Sequence, residues 1–127
     1  MLAPAGALPA AALADPMPVE VPSGQPVTLF EVLMDDTPGQ LWARFRFLAP
    51  KIGNAPGRVG YDVTAVDMDW VCNHVALPWL DRTGLEPERI VISFSDRELP
   101  LGETAPDAAQ YFEFYRPDLT ECIWEEY

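Results

Sequence analysis

The sequence predicts an α+β domain: an antiparallel sheet of about five strands with one main helix on a single face, in the order ββαβββ. Three observations lead there. Several short stretches alternate apolar and polar residues with the two-residue period of a strand. Met68, Cys72, Val75 and Trp79 recur with helical spacing, with Val71 beside them. Segments rich in proline and glycine separate these blocks. A chain of 127 residues has the length of one domain.

The strand over 27–34 places Thr28, Phe30, Val32 and Met34 on one face and Val27, Leu29, Glu31 and Leu33 on the other. The strand over 41–48 sets Ala43, Phe45 and Phe47 against Trp42, Arg44 and Arg46. Between them, Pro38 fixes φ and Gly39 tolerates a positive φ, which suits a type II turn. Glu31 then meets Arg44 or Arg46 across the hairpin. Residues 49–63 read as loop. Thr64 is placed to cap the helix, and Gly84 to end it. Pro78 cannot donate to the carbonyl of His74, so the last turn kinks or restarts there. Residues 89–95 read as a strand with Ile90, Ile92 and Phe94 on one face, and 96–107 as loop. The stretches 111–115 and 122–126 form a second hairpin. A short helix over 107–115 is the rival, because Ala108, Ala109 and Gln110 are good helix formers.

The N-terminal end reads differently. Residues 1–14 carry no charged or polar side chain and end in Ala12-Leu13-Ala14 before Asp15, the small-x-small pattern that signal peptidase accepts. The expectation is a leader over 1–14 cleaved after Ala14, an extended linker over 15–26, and a domain over 27–127. No lysine or arginine precedes the apolar run. That leaves two readings open: a start upstream of Met1, or a plain Ala/Pro leader. The run is too short to span a bilayer and is interrupted by Pro4 and Pro9, so no permanent membrane span is expected.

The formal net charge is −12, which repels phosphate backbones and excludes nucleic acid as a partner. The acidity is lopsided: residues 64–127 hold fourteen acids against four arginines. This is a solvated face or a surface for a basic partner.

Cys72 and Cys122 make an even cysteine count, and in an oxidising compartment they are expected to form a disulfide. Two independent buried thiols are the competing reading. Cys72 and His74 lie two apart, and side chains at i and i+2 of a helix do not meet, so they make no nucleophile–base pair. The carboxylates lack the spacing of a calcium loop, and a single histidine does not build an ordinary zinc site. Nucleotide-binding loops and the serine-hydrolase elbow are absent. The expectation is therefore no catalytic residue, no cofactor and no metal. Of four tryptophans, Trp79 and Trp124 read as core, whereas Trp42 and Trp70 have charged neighbours. Trp42, Arg44 and Arg46 have the composition of an interface hot spot and form the candidate partner-binding patch, suited to an acidic surface.

The runs PSGQPVTLFEVLMDD, LWARFRFLAP and ERIVISFSDRE, with the ending CIWEEY, resemble a family of small exported alphaproteobacterial proteins of unknown function. Such proteins sometimes carry the label acetolactate synthase. Those enzymes bind thiamine diphosphate through a G-D-G motif between large domains, and this chain has neither the motif nor the length. The resemblance implies export and supplies no active site. Two functions follow as expectations: a non-catalytic periplasmic or secreted interaction or accessory protein with a partner in the cell envelope, or a small periplasmic hydrolase or isomerase with its site near the 49–63 loop.

Overall fold

The computed structural model describes residues 10–103 and 105–126, with side chains from Pro16 onward. Six strands form one sheet in sequential order: β1 (Ala10–Val19), β2 (Val27–Asp35), β3 (Trp42–Leu48), β4 (Arg89–Ser95), β5 (Gln110–Pro117) and β6 (Cys122–Glu125). Between β3 and β4 runs one helical segment: α1 (Tyr61–Val71), a π-helical turn (Cys72–Ala76) and α2 (Leu77–Thr83). The α+β class is as the pattern predicts, but the all-antiparallel sheet is not. β3 and β4 are parallel, from Trp42↔Arg89 to Leu48↔Ser95, and the other four pairings are antiparallel. The helix causes this. It carries the chain back along the sheet, so β4 starts beside the start of β3, where the Glu88 amide donates to the Leu41 carbonyl.

The sixth strand comes from the N-terminal segment. Residues 1–9 of the expected leader lie outside the described residues, and 10–19 form β1 along the edge of β2. The pairing slips between Ala12 and Met17, so four residues of β1 oppose Phe30 alone. The predicted cleavage point after Ala14 falls inside that irregular stretch. Residues 20–26 continue as a loop held to α1 by the buried Asp67 carboxylate. Asp67 accepts from the Ser23 amide and hydroxyl and from Gln25 Nε2 at 2.9, 2.5 and 2.8 Å.

A β-bulge at Phe30 changes the face assignment in β2. Leu29 opposes Phe47 and Glu31 opposes Arg46, which leaves Phe30 unpaired against β3. Val27 and Leu29 before the bulge, and Val32 and Met34 after it, therefore all face the helix. With them pack Ala43, Phe45 and Phe47 of β3 and Ile90, Ile92 and Phe94 of β4.

The helix begins at Tyr61 with Gly60 as its N-cap, not at Thr64. Thr64 is buried one turn inside, within reach of Gln25 Nε2 at 3.5 Å. The restart expected at Pro78 appears as the π turn just before it. The wider turn keeps residues spaced by four on one side, so the buried stripe is Met68, Cys72, Ala76 and Leu80. Val75 and Trp79 pack at its margin. Gly84 ends α2 in the left-handed conformation at φ 72°. At the β2–β3 turn the Gly39 amide donates to the Asp36 carbonyl. Gly39, at φ 89°, is thus the fourth turn residue and not the third. Residues 110–117 are strand, which decides against the rival helix.

Cys72 and Cys122 are bonded, with Cα atoms 6.2 Å apart, and tie the π turn to β6. Next to them Asn73 Oδ1 accepts the Cys122 amide at 2.8 Å. Among the described residues no helix is long and apolar enough to cross a membrane.

Candidate functional site

The helical layer covers one face of the sheet, and the long connection between β4 and β5 reaches part of the other. The candidate patch lies on that second face, because Ala43, Phe45 and Phe47 take the helix side of β3. Trp42, Arg44 and Arg46 alternate opposite them, flanked by Leu33 and Asp35 of β2 and by Val91 and Ser93 of β4. Phe112 and Phe114 extend the same face on β5, opposite Ser93 and Val91. Trp42 meets Phe114 edge-on, with ring centroids 6.0 Å apart, and the Arg44 guanidinium sits 5.7 Å from the Trp42 ring.

The charges of this patch are compensated internally. Arg44 Nε bonds Asp35 at 2.9 Å, and Arg46 Nη1 bonds Glu31 at 2.5 Å. Arg46 also donates to the Leu99 carbonyl and lies 5.1 Å from the Phe30 ring. Glu31 had either arginine within reach by register; the bulge at Phe30 aligns it with Arg46. Burial pushes the Asp35 carboxyl up, but hydrogen bonds from the Thr37 hydroxyl and amide, with Arg44, outweigh it and hold the group below its ordinary range.

Loop residues Leu101 to Glu103 rise over β4 and β5 and close a cleft of about 350 Å3. Its floor combines Arg44, Arg46, Ser93 and Gln110, and its apolar rim includes Phe112 and Leu101, each 48% exposed. The arrangement offers aromatic area beside hydrogen-bonding groups that are already held in place by their neighbours. That suits recognition of a partner surface of mixed polarity.

The loop over 49–63, the alternative location for a site, leads into a second polar cluster on the helix side. Tyr61 OH donates to Glu113 Oε1, and Trp124 Nε1 donates to Glu113 Oε2. Tyr115 OH donates to Asp69 at 2.6 Å, and Tyr111 OH to Asn54 at 3.2 Å. The hydrogen bond to Glu113, then burial and the nearby carboxylates, push the Tyr61 phenol up to about 12. Burial first, then Asp69, pushes Tyr115 up as well. Phenols held protonated in this way act as donors to carboxylates; they are poor bases near neutral pH.

The sign for stability follows from linkage. The folded state holds the Tyr61 proton more tightly than the unfolded chain, whose tyrosines titrate near about 10. This contribution is fully present below the unfolded value and is lost as pH rises through about 12. In a tyrosinate absorbance titration, Glu113→Gln is expected to bring Tyr61 back toward the ordinary range. An unchanged titration would show that Glu113 does not control it.

Residues 3–127 match a family of unknown function (DUF6497). The chain belongs to the DUF6497 family. No curated protein and no solved structure matches it. The matched region of the DUF6497 chain includes β1 as well as the rest of the sheet.

The remaining tryptophans complete the placement. Trp79 packs edge-on against Phe45 at 5.5 Å, as a core residue should. Trp124 does not: it is 52% exposed, because β6 is the terminal strand among the described residues. Trp70, partly buried against the core, stacks on the exposed His74 at 4.3 Å, and the Cys72 sulfur is spent in the disulfide. Phe112 and Leu101 were missed as site residues by the sequence reading. Alternation along β5 puts Phe112 and Phe114 on one face, yet nothing in it says which face the helix covers.

Proposed function

We propose that this chain is a non-catalytic, exported accessory protein that binds a protein partner in the cell envelope through the uncovered face of its sheet. The observation carrying this reading is the cluster of Trp42, Phe112, Phe114 and Leu101 around the Arg44–Asp35 and Arg46–Glu31 pairs. Tryptophan and arginine dominate interface hot spots because they combine contact area with directional hydrogen bonds. Because each arginine already has a carboxylate, the partner contributes apolar area and hydrogen-bonding groups and needs no excess of acid. Affinity capture of the tagged protein from its native envelope tests the reading. A stoichiometric protein partner supports it, and a monomer carrying a bound small molecule overturns it.

Support for export comes from the disulfide, which locks the helix to the last strand and persists in oxidising compartments. The mature chain is expected to begin at Asp15. It would keep residues 17–19 paired with 27–29 of β2 while losing the pairing of Ala10–Ala12. N-terminal sequencing of protein from the native cell checks this, and an intact leader on cytoplasmic protein would contradict it.

A further inference from the structure

A second surface lies at the other end of the helical segment. Between α2 and the β5–β6 turn runs a groove of about 760 Å3. Its apolar lining includes Leu77, Leu80, Leu85 and Pro117, and Leu119 stands at the turn with 99% of its surface exposed. Among the described residues, three acids, Asp81, Glu86 and Asp118, are the only charged ones that line it. Among the described residues none of the three has an ion-pair partner. Arg82 follows Asp81 in sequence but does not line the groove. The other three arginines of the C-terminal half are engaged elsewhere: Arg89 and Arg116 with Glu125, and Arg97 with Asp96 and Asp107.

We infer that this groove docks a basic, apolar peptide segment of a partner protein, one in which lysine or arginine flanks leucine-like side chains. The inference stands apart from the sheet-face reading and uses different residues. Charge complementarity selects the occupant. The acidic rim attracts cationic side chains while the lining takes apolar ones. A second copy of this chain fits poorly, because the chain carries −12 overall with a single lysine and would set acid against acid. The two walls are also fixed relative to each other. The Cys72–Cys122 bond and the Asn73 contact to the Cys122 amide join the helical segment to the hairpin, so little ordering is needed on binding.

The test uses a short fluorescein-labelled peptide of alternating leucine and lysine, titrated with the disulfide-bonded protein and read by anisotropy. Saturable binding is expected, weakened about tenfold or more by Leu119→Asp and by the pair Glu86→Lys with Asp118→Lys. Leu119 is fully exposed, so its replacement leaves the fold intact. The reversal Glu103→Lys, on the sheet-face cleft, is expected to leave binding nearly unchanged. Non-saturable binding, indifference to the groove variants, or an equal loss with Glu103→Lys would each overturn the inference. Phe112→Glu should retain peptide binding, so failure of the sheet-face reading would leave this result standing.

Discussion

Replacing Cys72 and Cys122 together by serine is expected to cost about 4 kcal/mol of stability, on the chain-entropy estimate for a closed loop of this size. The bond spans 50 residues and encloses the rest of the π turn, α2, β4 and β5, so the unfolded chain without it regains a large conformational freedom. Both sulfurs sit where the folded state gives them no substitute partners. Cys72 is buried in the stripe against the sheet, and β6 is a strand of four residues with one neighbour. For a domain of this size the loss corresponds to a fall in melting temperature of roughly 10–20 °C. Thermal unfolding followed with and without reductant measures it. A shift of only one or two degrees would mean that β6 is held mainly by its ladder and by the Trp124–Glu113 hydrogen bond.

Phe45→Ala is the other large effect, at about 3–5 kcal/mol for truncating a fully buried phenylalanine. Phe45 lies on the central strand, between Val32 of β2 and Ile92 of β4, and meets Trp79 edge-on. Phe112→Ala on the opposite face is expected to cost about 1 kcal/mol, because half of that ring is already in water. Denaturant midpoints of the two variants compare the faces directly. Equal losses would mean that the loop over 96–109 seals the second face as tightly as the helix seals the first.

Much of this fold is legible in the sequence because the period of each element survives in its apolar residues. The β3 alternation assigns Phe45 and Phe47 to the core, the helical stripe includes Met68 and Cys72, and Gly84 marks the helix end. What could not be read has specific physical causes. The bulge at Phe30 inserts one residue and reverses the parity of β2, so strict alternation assigns half of that strand to the wrong face. Alternation is also blind to strand direction. The signal for the parallel pair was the long helical connection between β3 and β4, since such a crossover is what joins parallel neighbours. β1 contains two prolines, Pro16 and Pro18, in sequence that reads as linker, yet Pro18 is tolerated because β1 lies at the edge of the described sheet. The candidate patch was visible as Trp42, Arg44 and Arg46, and Glu31 as a partner for one of the arginines, whereas the Asp35 pairing that compensates Arg44 was not. Compensation of the arginines depends on Asp35 and Glu31 arriving in register from β2, which no inspection of β3 alone reveals.

The most direct test of the sheet-face interaction is affinity capture from the native envelope with the wild-type protein and with Phe112→Glu, both in the disulfide-bonded form. Phe112 contributes a half-exposed ring to the rim of the cleft, so the substitution places a charge at the centre of the proposed contact at little cost to folding. The account predicts a stoichiometric envelope protein with the wild type and its loss with Phe112→Glu, while the melting temperature falls by only a few degrees, in keeping with about 1 kcal/mol. Capture of the same protein at the same yield by both forms would contradict it.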